Sequence, residues 1–145
     1  MRDQVRVITT LKLQTKLEAA VLSDVLRSLA TDKRVVWHGR FNSGRGKLNG
    51  NQWFVANRCF LNTCAGAIPS ICPDVLAVLT SGHLAAIEVK RESWKKPTTD
   101  TELKQLEMLE ALKQAGCIAG FVRSVQELNQ LIQQAEHAHS HHVST

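Results

Sequence analysis

From Lys33 to Pro73 the chain contains no aspartate and no glutamate. Lys33, Arg34, Arg40, Arg45, Lys47 and Arg58 all lie in that stretch. A long segment of one sign suits a polyanion, and a phosphate backbone is the commonest polyanion a protein meets. A merely solubilising surface is the alternative reading. The formal net charge is only +5, and the remaining segments are mixed in sign, so this is not a uniformly basic protein.

Long apolar runs are also absent. A membrane span takes about 20 consecutive apolar residues, and no such run occurs. The start, MRDQVRV, is charged and lacks the apolar stretch of a signal peptide. The expectation is an intracellular, cytoplasmic protein of a bacterial or viral host, with no membrane partner. Cys59, Cys64, Cys72 and Cys117 form no C-x-x-C pair and no zinc-finger spacing. Free buried thiols are expected, because cysteine is among the most buried residue types. A zinc site built from Cys59, Cys64 and Cys72 is the alternative, and with it a zinc-stabilised binding domain.

The composition is that of an ordinary globular protein, and 145 residues suit one domain with one core. Residues 15–30 read as a helix, since Val21-Leu22, Val25-Leu26 and Leu29 recur at helical spacing. One turn earlier, Leu17 continues the stripe, but position 18 is Glu. Glu18 is therefore expected on the buried stripe, where an unpaired carboxylate is costly. Residues 34–38 read as a strand, 39–51 as a glycine- and asparagine-rich loop, and QWFVA as a further short strand. Pro69 and Pro73 argue against a long regular element between 57 and 73. DVLAVL and LAAIEVK read as buried strands, separated by TSGH. Thr99 with Glu102 predicts a capped helix from Asp100 to Ala115, and Ser124 with Glu127 predicts another after the strand CIAGFV. Residues 136–145 carry no packing pattern and read as a flexible His-rich tail. The result is a mixed α/β sheet flanked by helices, with a right-handed crossover between the strand ending near Lys90 and the strand ending at Val122.

LAAIEVK raises the functional question. Side chains alternate along a strand, so Glu88 and Lys90 share one face and Ile87 and Val89 take the other. The position of Asp74 depends on the hairpin register. A two-residue Ser81-Gly82 turn pairs Asp74 with Val89 and separates the carboxylates. Ser-Gly suits neither favoured two-residue turn, whereas a three-residue Thr80-Ser81-Gly82 loop places Gly where a left-handed residue is needed. That loop pairs Asp74 with Glu88. Two adjacent buried carboxylates repel each other, and a divalent cation relieves them. Oxygen ligands suit Mg²⁺ or Mn²⁺. Glu18 is a candidate third ligand, and Lys90 a group to orient water or stabilise charge on phosphorus. The bland alternative is an edge-strand charge pair, with Asp74 a turn residue.

Pro73-Asp74, thirteen residues, then Glu88-Val89-Lys90 resembles the PD-(D/E)xK nuclease superfamily. PDVLAVLTSGHLAAIEVK followed by a helix carrying Gln105 is more closely similar to the VRR-Nuc domain family, and the likeness extends to Asn42-Ser43-Gly44 and Glu18. It covers about residues 15–132. One departure is Ile71-Cys72 before Pro-Asp, where that family usually carries a glycine. The resemblance implies a restriction-endonuclease-like fold, with residues 1–135 as a single nuclease domain. It implies metal ligation by Glu18, Asp74, Glu88 and the Val89 carbonyl, a catalytic Lys90, and Gln105 beside the site; a boundary amide is the alternative for Gln105. Small members resemble dimeric junction-resolving enzymes. The expected activity is therefore that of a homodimeric, Mg²⁺- or Mn²⁺-dependent endonuclease acting on four-way junctions, without an organic cofactor. A flap or nicking nuclease, or a non-catalytic DNA-binding module of the same fold, is the alternative. Arg40, Asn42, Arg45, Lys47, Lys95 and Lys96 are candidate DNA contacts. Core packing is expected for Trp37 and Trp53, and exposure for Trp94.

Overall fold

The computed structural model describes residues 15–41, 45–48, 52–55 and 58–140. The elements run α1 (Glu18–Thr31), β1 (Val35–Arg40), β2 (Arg45–Leu48), β3 (Gln52–Val55), β4 (Cys59–Thr63), β5 (Gly66–Ser70), β6 (Val75–Leu79), β7 (Leu84–Val89), α2 (Asp100–Gln114), β8 (Ile118–Val122) and α3 (Val125–Ser140). A four-stranded mixed sheet has the order β1-β6-β7-β8. Its first two pairings are antiparallel and the β7–β8 pairing is parallel, as α2 requires by carrying the chain back to the start of the sheet. No helix among the described residues is long and apolar enough to cross a membrane.

The sheet is covered on both faces. Val21, Val25 and Leu29 of α1 and Leu128, Ile132 and Ala135 of α3 pack with Val75, Ala77, Ile87, Val89 and Val122. On the opposite face, Met108 and Leu109 of α2 pack with Ala86 and Ala119. Alternation along β7 thus gives Ile87 and Val89 to one core, and Ala86, Glu88 and Lys90 to the α2 side. The turn before β7 follows the three-residue reading. Gly82 has φ +87° and donates its N–H to the Leu79 carbonyl, while Leu79 N–H bonds the His83 carbonyl. The ladder runs Val75↔Ile87, Leu76↔Ala86 and Ala77↔Ala85, which places Asp74 opposite Glu88.

The short strand expected at QWFVA is β3, but the expected loop at 39–51 and the unassigned chain at 57–73 carry further strands. Two separate hairpins form, β2–β3 and β4–β5. Pro69 sits inside β5 opposite Phe60, which a hairpin belonging to no larger sheet tolerates. Cys59 and Cys72 are joined as a disulfide with a Cα–Cα distance of 5.5 Å, so they are neither free thiols nor zinc ligands. Proximity across the hairpin base brings together cysteines that are thirteen residues apart in sequence. Cys64 is exposed at the hairpin turn and Cys117 is partly exposed. Trp37 is 49% exposed rather than packed in the core, because β1 is an edge strand whose ladder shifts between Val35 and Trp37. The Trp53 side chain lies outside the described residues.

Thr99 and Glu102 form the expected capping box. At α3 only half of one forms: Glu127 N–H donates to Ser124 Oγ, but the Glu127 carboxylate accepts from Arg123 instead. The competing guanidinium is the stronger partner for a carboxylate. The last helix also continues to Ser140, past the expected boundary at 135. Ile87 is fully buried between the sheet and two helices. Ile87→Ala is expected to lower unfolding stability by about 2–5 kcal/mol in urea titration, whereas Val36→Thr on the exposed edge changes it by less than about 0.5 kcal/mol.

Candidate active site

The site forms where β6 begins and β7 ends. Antiparallel pairing puts those two ends together, so Asp74 and Glu88 meet across the ladder. Val89 N–H donates to Asp74 Oδ2 at 2.8 Å, and Asp74 in turn accepts Phe41 N–H at its own carbonyl, also at 2.8 Å. Glu88 is only 2% exposed. Burial first, and then the neighbouring Asp74 carboxylate, push its carboxyl up to about 9; Lys90 offsets this only in part.

Helix α2 supplies the opposite wall. Gln105 Nε2 donates to Glu88 Oε1 at 2.6 Å, which places Gln105 in the site as expected. One turn earlier on the same helix, Glu102 Oε2 lies 3.9 Å from Lys90 Nζ, with both side chains largely buried. The amine also sits 5.8 Å from the ring centroids of Trp94 and Phe121. Glu102 is itself held tightly. It accepts the Trp94 indole N–H and the N–H and hydroxyl of Thr99, and the indole bond above all lowers its carboxyl to about 2. Glu102 is therefore a fixed anion facing Lys90. Nothing in the spacing pointed to this partner beyond its role as a capping residue. Trp94, expected to be exposed, is half-buried; it stacks on Phe121 at 4.7 Å, and its carbonyl accepts from Arg123.

Glu18 departs most from expectation. It is exposed, as is Leu17 at 72%. The buried stripe of α1 begins only at Val21, and every residue from 15 to 20 is exposed. A carboxylate in that first turn is favoured by the helix dipole. Hydrogen bonds anchor the entrance of α1 to the chain after β7: Glu92 N–H donates to the Lys16 carbonyl, and Lys16 N–H to Glu92 Oε2. Glu18 consequently stands where two clefts meet. A small one of about 160 Å³ runs past Arg40, Phe41, Asp74 and Val89. A larger one of about 730 Å³ runs past Lys90, Arg91, Trp94, Lys95 and Lys96.

The donors left over are all oxygens. Glu88 Oε2 and Gln105 Oε1 are buried without a hydrogen-bond partner, and Glu88 adjoins a second carboxylate. Two orphaned acceptors beside paired carboxylates are what a hard cation satisfies, so Asp74 and Glu88 fit Mg²⁺ or Mn²⁺. The expected three-carboxylate shell is not assembled: no group of three His, Cys, Asp or Glu side chains that could hold a metal is found among the described residues. Glu18 stands at the cleft mouth instead. Of the expected DNA contacts, Arg40, Lys95 and Lys96 are exposed along the two clefts. Arg45 and Lys47 belong to β2, and Asn42 lies outside the described residues.

The raised Glu88 carboxyl makes stability depend on pH. A group held above its ordinary value of 4.5 contributes stability that is complete below about pH 4.5 and is lost as pH rises through about 9. Urea titrations without divalent cations are expected to show wild type weakening over that window and Glu88→Gln weakening less. Added Mg²⁺ is expected to restore wild type at pH 8 and leave Glu88→Gln unchanged. Equal slopes for the two proteins would rule out Glu88 as the source.

Among known proteins, no family model, no curated protein and no solved structure matches this chain.

Proposed function

We propose that the chain is a metal-dependent, structure-specific DNA endonuclease that hydrolyses phosphodiester bonds. The reading rests on one arrangement: Asp74 and Glu88 side by side at a sheet end, with Lys90 on the same face as Glu88 and Gln105 bonded to it. The same arrangement supports the finer reading of a restriction-endonuclease-like sheet of the PD-(D/E)xK type, similar to VRR-Nuc domains.

Asp74, Glu88 and the Val89 carbonyl would hold Mg²⁺ or Mn²⁺, with Glu18 available from the cleft mouth. A cation bound there would supply an acidified water and neutralise charge at phosphorus. The protein's own groups do the rest. The Val89 N–H and the Gln105 amide fix the orientations of Asp74 and Glu88. Lys90, held between Glu102 and two aromatic rings, presents a cation where charge builds on the phosphoryl oxygens. Arg40 on one side, and Lys95 and Lys96 on the other, are placed to contact phosphates flanking the cut. Two copies related by a two-fold axis would make paired cuts on a four-way junction.

Incubation with four-way, flapped and linear duplex DNA tests the reading. Cleavage of branched DNA is expected with Mg²⁺ or Mn²⁺ and not with EDTA. Lys90→Ala is expected to lower kcat by roughly 10²–10³-fold. No cut in any substrate would refute the activity, and an unimpaired Lys90→Ala would refute the mechanism. Sedimentation at micromolar concentration is expected to give a dimer; a monomer would favour flap or nicking cleavage instead.

A further inference from the structure

The β4–β5 hairpin stands apart from the sheet that carries the site. Among the described residues its strands pair only with each other. Most residues of its two strands are exposed, including Phe60 at 58% and Ile68 at 40%, and none is buried. A lone two-stranded hairpin is marginal in water, so its base needs an anchor. The Cys59–Cys72 disulfide provides one, two residues before Asp74. Cys72 is buried, which makes the anchor part of the folded body.

The surface chemistry of this hairpin is one-sided. From Cys59 to Cys72 there is no charged residue, and the acid-free stretch of the sequence encloses the whole hairpin. Cations flank its base: Arg58 is exposed beside Cys59, and Arg40 is exposed beside Asp74. Phe60 and Pro69 are directly opposed across the two strands and therefore share one face. An apolar pair on a ribbon that carries no charge of its own, with cations at its foot beside the candidate site, complements nucleic acid. The cations meet phosphates, and the apolar pair enters a base step as Phe and Pro wedges do in DNA-kinking proteins.

We infer that Phe60 and Pro69 form a wedge that enters the opened base step at the branch point of the DNA substrate. This rests on the DNA-nuclease reading above and adds what selects the substrate. The tether also sets a distance. Through the disulfide, Phe60 Cα lies no more than about 17 Å from Asp74 Cα by chain geometry. Lengthened by the reach of the side chains at both ends, that span keeps the cut within roughly ten nucleotides of the branch at about 3.4 Å per base step.

The test uses the full chain in EDTA, so that binding is read without cleavage, with 2-aminopurine placed at the branch of a four-way junction. Wild type is expected to raise the 2-aminopurine fluorescence as the base unstacks. Phe60→Ala is expected to lose that rise and about tenfold of the preference for branched over linear duplex, with duplex affinity unchanged. Phe60→Trp is expected to restore both. A Phe60→Ala protein that keeps the fluorescence rise and the preference overturns the wedge. So does a change in sedimentation on Phe60→Ala, which would assign the face to a second copy of the chain. Duplex and junction binding without unstacking refutes the wedge alone. Unstacking without cleavage in Mg²⁺ or Mn²⁺ supports the wedge and refutes only the nuclease activity. Wild type that binds no DNA refutes both.

Discussion

Glu88 is buried beside Asp74, and the rest of the site is arranged around that constraint. A carboxylate removed from water next to a second carboxylate stays unprotonated only with a cation nearby. The fold supplies partial compensation from protein groups alone. Gln105 donates to one Glu88 oxygen, and the Val89 N–H donates to Asp74. Glu88 Oε2 is left over, buried and without a hydrogen-bond partner, and it is this remainder that the proposed cation would satisfy.

Helix α2 is the part that makes this possible. Glu102 and Gln105, one turn apart, meet Lys90 and Glu88, two strand positions apart, because α2 runs back along β7. The capping box fixes where the helix starts, and so fixes which of its side chains face the strand. Glu102 consequently serves three neighbours at once: it caps the helix, holds the Trp94 indole and faces the Lys90 amine. Loss of the Glu102 carboxylate would disturb both the helix start and the environment of the lysine. On the other side of the site, hydrogen bonds between Lys16 and Glu92 hold the start of α1 against the segment after β7, and the two clefts share Glu18 as a common edge.

Much of this was legible along the chain. The stripe of Val21, Val25 and Leu29, the Thr99–Glu102 cap and the alternation in LAAIEVK are local patterns, and local patterns survive folding when packing agrees with them. The Asp74–Glu88 register was legible for the same reason, since the Gly at position 82 restricts the turn to one geometry. The placement of Glu18 was not. Helical periodicity assigns it to the buried stripe, but burial also needs a neighbour to pack against, and the packed part of α1 begins only at Val21. Trp37 failed similarly: a tryptophan in an apolar strand reads as core, and only sheet order shows that the strand is at an edge.

By itself the sequence determined the helices and the strands of the main sheet, the β6–β7 register and the face shared by Glu88 and Lys90. These depend on residues near one another in the chain, where propensity, turn chemistry and period two act directly. Only the tertiary structure decided the Glu102–Lys90 and Gln105–Glu88 contacts, the Cys59–Cys72 tether and the projection of the β4–β5 hairpin. Each of these joins separate elements or segments. Their distances depend on how helices and strands pack, and spacing along a chain does not encode that packing.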